Sequence, residues 1–104
     1  MNYLEQLAAE IRQSVPEQAM PQDDAMDLFT IYAVLLLAKG EAVRREDVHN
    51  AWVAWMLSKG ETGHDSLVPF ADLDPATRAE DSPYVAAIRT VAVQHRLGSI
   101  REES

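Results

Sequence analysis

Apolar positions recur at helical spacing over most of the chain. Leu4, Leu7, Ala8, Ile11 and Val15 fall three and four residues apart, with Glu5, Glu10 and Arg12 on the other face. That spacing predicts a first helix from Asn2, whose side chain can cap it, to Val15, where Pro16 stops it. Pro16 to Pro21 reads as a connector. Asp23 is placed to cap a second helix from Asp24 to Lys39, with Asp24 and Asp27 at the positive end of its dipole. Leu28, Phe29, Ile31, Tyr32, Val34, Leu35, Leu36 and Leu37 leave this helix apolar almost all round, which predicts a place at the centre of the core. Gly40 follows Lys39 as a left-handed C-terminal cap.

A third helix is predicted from about Arg44 to Lys59, with Val48, Ala51, Trp52, Trp55 and Met56 on one stripe and Gly60 at its end. The helical period is lost from Glu61 to Asp74. Leu67, Val68, Phe70 and Leu73 are nonetheless too apolar for a free loop, so the segment reads as ordered and packed on the helices. Asp74-Pro75 opens a helical turn through about Glu80. Ser82-Pro83 repeats the device and opens a last helix with Tyr84, Val85, Ile88, Val91 and Ala92 inward, fraying near Leu97-Gly98. The expectation is an all-α fold: a compact bundle of about four helices with an ordered Pro/Gly-containing loop between the third and the last. It forms a single domain over residues 1–100, followed by a mobile tail at 101–104.

Composition narrows the function. With 104 residues the chain can build one core, and with no cysteine it has no disulfide, thiolate metal site or cysteine nucleophile. A net charge of −8 opposes nucleic acid as a partner, because phosphate neutralisation needs clustered Lys and Arg. The densest basic pair, Arg44-Arg45, is followed at once by Glu46-Asp47. Met1 to Glu5 has the features of no signal peptide, and Leu28 to Ala38 is too short to span a bilayer. A cytoplasmic protein with no membrane partner is expected.

Candidate chemistry is sparse. His49, His64 and His95 are isolated, without metal-ligand spacing. Gly60-Glu61-Thr62-Gly63 lacks the strand and the Lys-Ser/Thr of a phosphate loop, and no nucleophile elbow occurs. The carboxylate pairs Asp23-Asp24, Glu46-Asp47 and Glu80-Asp81 read as helix caps and solvated surface. The expectation is therefore no enzyme, no metal and no cofactor. His49 lies three residues before Trp52, so imidazole and indole are helix neighbours. Trp52 and Trp55 face the core or line a cleft in it, and Phe70 and Tyr84 arrive from the loop and the last helix. On the residues alone, such a stripe more often means core than a ligand site.

The order Val48-His49-x-x-Trp52, Lys59-Gly60, a polar loop with His64, Leu67-Val68-Pro69-Phe70-x-x-Leu73, Arg78, Glu80-Asp81 and a helix near Pro83 resembles the ryanodine-receptor repeat (RyR) domain. The RyR-like segment covers about residues 43–97, with two extra N-terminal helices over 2–39 in place of the family's proline-rich strand. Glu61 stands where the family has Trp, its Tyr-Gly element is missing, and Phe70 replaces its Tyr. The whole chain is also similar to small proteins of actinobacteria and their phages. The resemblance implies a non-catalytic module that recognises a nucleotide-derived small molecule, as a sensor or a sequestering protein in defence. It implies a site of His49, Trp52, Lys59, His64, Pro69, Phe70, Arg78 and Tyr84, in which a base stacks on an aromatic face while His49, Lys59, His64 or Arg78 meets polar or phosphate groups. The alternative is a protein-interaction or structural module without a small ligand, in which the Leu4, Leu7 and Ile11 stripe docks on a second subunit to give a homo-oligomer.

Overall fold

The structure is a computed structural model, and it describes residues 2–20 and 25–95. Among these the fold is all-α, with long helices α1 (Tyr3–Ser14), α2 (Met26–Lys39), α3 (Arg45–Ser58) and α5 (Ser82–Gln94), and a short α4 (Pro75–Ala79). Single 3-10 turns occupy Glu17–Ala19, Gly40–Ala42 and Phe70–Asp72. The last helix is therefore followed to Gln94; its expected end near Leu97-Gly98 and the tail at 101–104 lie outside the described residues.

Local chemistry sets the helix ends. Asn2 Oδ1 accepts from the Glu5 amide at 2.8 Å, while Glu5 Oε1 accepts from the Asn2 amide at 3.1 Å. This reciprocal pair satisfies two orphan donors of α1. Asp74 caps α4 by accepting from the Thr77 amide at 2.8 Å, with Pro75 in the first turn as expected. The start of α5 differs by one residue: Asp81, not Ser82, occupies the cap position, and its side chain makes no capping bond. The predicted Asp23 cap of α2 lies outside the described residues. Ala25 precedes the helix, and Asp27 sits in its first turn.

Gly40 ends α2 with φ 56° and ψ −129°. The positive φ was expected, but the ψ is not that of a left-handed helical cap; it belongs to a region open essentially to glycine. The turn carries Val43 into the core, and the Val43 carbonyl accepts from Arg89 Nε at 2.9 Å and Nη2 at 2.6 Å. One guanidinium on α5 thus fastens the connection between α2 and α3. Asp47 fastens it from the other side, accepting from Lys39 Nζ at 2.9 Å and from the Arg44 amide at 2.8 Å.

Helix α1 packs on α2 and α5, and α2 also packs on α3. Leu7, Ile11, Phe29, Leu36, Ile88 and Val91 are fully buried between them. Two expectations change here. Leu7 and Ile11, offered for docking on a second subunit, are 0% exposed within the single chain, so that stripe is already covered by α2 and α5. Helix α2 is not buried all round: Val34 is 51% exposed and Leu37 45%. A helix packed by three neighbours along one side keeps an outward face, and so small a bundle has no further layer to cover it.

Truncating Ile88 to Ala is expected to lower unfolding free energy by about 2–5 kcal/mol, whereas Val34→Ala stays within about 0.5 kcal/mol. Urea titrations followed by circular dichroism check both values. Gly40→Ala should cost about 1–3 kcal/mol in the same assay, because the added Cβ opposes the observed φ and ψ.

Candidate functional site

One cleft of about 480 Å³ gathers side chains from almost every element. Leu28 and Tyr32 come from α2, and His49, Trp52 and Trp55 from α3. His64, Ser66 and Leu73 come from the non-helical segment, Thr77 and Glu80 from α4 and its cap, and Asp81, Pro83 and Tyr84 from the start of α5. Its volume is in the range of small-molecule sites.

The non-helical segment forms a wall of this cleft because it is tied to α3. His49 is 3% exposed, and its Nε2 lies 2.6 Å from the Val68 carbonyl. A carbonyl only accepts, so Nε2 carries the proton and donates. The imidazole also lies 5.9 Å from the Trp52 ring and 6.0 Å from the Phe70 ring. His64 meets Trp52 edge-on at 5.0 Å, with its Nδ1 accepting from the Ser66 amide at 3.0 Å. The segment is thus ordered against the helices, as its apolar residues predicted, although Val68 itself stays 37% exposed.

The opposite wall is tyrosine-rich. Tyr32 and Tyr84 lie 5.6 Å apart by ring centroid, and Phe29 stands edge-on behind Tyr32 at 5.7 Å. The Tyr84 hydroxyl donates to the Ala19 carbonyl, which ties α5 to the connector after α1. Burial raises both tyrosines above their ordinary range, and the negative charge of Asp81 adds to the rise in each. Both remain neutral hydroxyls at physiological pH.

Of the residues expected at a site, His49, Trp52, His64 and Tyr84 line the cleft. Lys59, Pro69, Phe70 and Arg78 do not. Lys59 Nζ sits 4.0 Å over the Trp55 ring, and the Arg78 guanidinium donates to the Ala71 carbonyl at 2.7 Å. Phe70 is near two guanidiniums, with Arg45 Cζ at 5.8 Å and Arg78 Cζ at 5.6 Å from its ring centroid. Pro69 precedes the turn that carries Phe70. Arg78 is therefore held outside the cleft, and the Lys59 ammonium sits against a ring of the cleft wall.

Three lining residues carry chemistry that the sequence did not assign to a site. Tyr32 reads as core from its helix. Glu80 and Asp81 read as solvated caps; Glu80 is exposed at the cleft, but Asp81 is half-buried. Burial pushes the Asp81 carboxyl up to about 6; His49 and Arg45 pull it down, and Glu80 adds to the rise. A hint was available in Asp81 preceding Tyr84 by three residues at a helix start. Trp55 is 8% exposed, and its Nε1 is buried without a hydrogen-bond partner among the described residues. No group of three or more His, Asp or Glu among the described residues could hold a metal ion, and no described helix is long and apolar enough to cross a membrane.

The Asp81 shift has a sign. A carboxyl raised by folding contributes stability that is complete below its ordinary value near 4 and is lost as pH rises through about 6. Asp81→Asn removes that loss. The urea midpoint of the variant should therefore gain on that of the wild type between about pH 4 and pH 7, and a constant difference across that window would refute the assignment.

No curated protein and no solved structure matches the chain. A family model described as a domain of unknown function, DUF7701, matches residues 2–93. The match runs from the capping residue of α1 to the last turn of α5, so both N-terminal helices lie within the family unit. The bundle described above, with its aromatic cleft, belongs to the DUF7701 family.

Proposed function

We propose that this chain is a non-catalytic module that binds a small molecule in the cleft between α2, α3 and α5. One observation carries the reading: a cleft of about 480 Å³ is lined by Tyr32, Trp52, Trp55 and Tyr84 together with polar groups. A pocket that joins aromatic faces to a few polar groups is the usual form of a ligand site.

The resemblance to the RyR domain suggested a nucleotide-derived ligand. The aromatic walls suit a base or nucleoside. The phosphate half of such a ligand finds less support, since Lys59 and Arg78 face other partners. A sensing or sequestering role would need no more than binding.

A ligand at a hundredfold excess over its Kd stabilises the native state by about 2.7 kcal/mol, a rise in melting point on the order of 10 °C for a domain of this size. Thermal melts against neutral, cationic and anionic small molecules should find such a compound. Its shift, measured against each variant's own unliganded melt, should vanish in Trp52→Ala and persist in Leu57→Ala. A flat response across all three classes sinks the proposal.

A further inference from the structure

We propose that the cleft selects a cation: an ammonium or guanidinium carried on a small body that lies among its aromatic residues. This rests on the cleft being a ligand site. Among the described residues its lining includes two carboxylates, Glu80 and Asp81, and neither Lys nor Arg. An anionic ligand would have to enter against both charges, whereas a cation meets them with opposite sign.

The rings give the same preference. The lining includes the aromatic residues Tyr32, Trp52, Trp55 and Tyr84, and aromatic faces attract cations more strongly as water is excluded. The fold already shows this chemistry in its own side chains, with the Lys59 ammonium 4.0 Å over Trp55. Lys59 is itself exposed and is not part of the lining, so the other rings are not taken by it. Arg45 and Arg78 lie 5.8 Å and 5.6 Å from the Phe70 ring without lining the cleft, and the charges of His49 and Arg45 temper that of Asp81.

Asp81 is the residue that distinguishes this arrangement from an acidic surface. Its carboxylate is held at a helix start without a capping bond, half-buried, and close enough to Tyr32 and Tyr84 for its charge to act on both. A quaternary ammonium or a derivative of a basic amino acid carries the matching positive charge on a small body.

The test is calorimetric titration of the full chain at pH 7.5 with choline, agmatine and arginine amide as cations, adenosine as a neutral probe and AMP as an anion. At least one cation should bind and AMP should not. Asp81→Asn should weaken the cation about tenfold, with Glu80→Gln giving a smaller loss, and added salt should weaken it too. Because Asp81→Asn is expected to raise stability at this pH, loss of binding there is not loss of fold, and an unfolding curve of the variant confirms it. Binding of AMP or adenosine without any cation overturns the inference but leaves the cleft as a ligand site. Cation binding indifferent to both substitutions overturns it as well. Silence from all five probes overturns both readings.

Discussion

The hydrogen bond from His49 Nε2 to the Val68 carbonyl, 2.6 Å long, is the constraint that turns a plain helical bundle into a bundle with a cleft. Residues 61–69 have no helical ladder to satisfy their backbone, and a segment in that state normally runs free over the surface. Here a nearly buried imidazole on α3 fixes it from one side. His64 and Ser66 are then held at the mouth of the space in front of Trp52, and Leu73 closes it before α4 begins. The same imidazole packs on Trp52 and Phe70, so one side chain orients the loop, the indole and the ring beneath the two guanidiniums.

The helices and their caps were legible because they rest on local rules. Asn2, Asp74 and Pro75 act within a few residues and appear where the sequence put them, while Gly40 takes the expected positive φ with a ψ outside the left-handed helical region. The inward faces of α1 and α5 were equally legible from periodicity. The outward face of α2 was not. Apolar content fixes what a helix can bury, but the number of neighbours fixes what it does bury, and Val34 and Leu37 remain exposed for want of a further layer.

The site was half legible for the same reason. His49 and Trp52 are three residues apart on one helix, so their partnership is a local fact. Tyr32, Asp81 and Tyr84 meet only because α2 and the start of α5 pack together, and the three-residue spacing from Asp81 to Tyr84 does not by itself show that the carboxyl is half-buried. Lys59 and Arg78 show the converse. Their charge invited a role at a phosphate, yet long cationic side chains near aromatic rings and free carbonyls find partners within the chain.

That diversion decides more about the cleft than its aromatic content does. A ring face accepts a nucleobase, an apolar group or an ammonium with little discrimination, so four aromatic residues define a binding surface without defining a ligand. Discrimination comes from what a competing ligand must confront. Lys59 lies over Trp55, and Arg45 and Arg78 lie against Phe70, so none of these three cations lines the cleft. Glu80 and Asp81 are left to set the sign of the space. Asp81 does so most effectively when ionised, and the burial that makes its charge felt is the same burial that raises its pKa. A bound cation would remove that opposition by stabilising the ionised form, so Asp81 is the lining carboxylate with most to gain from an occupant of opposite charge.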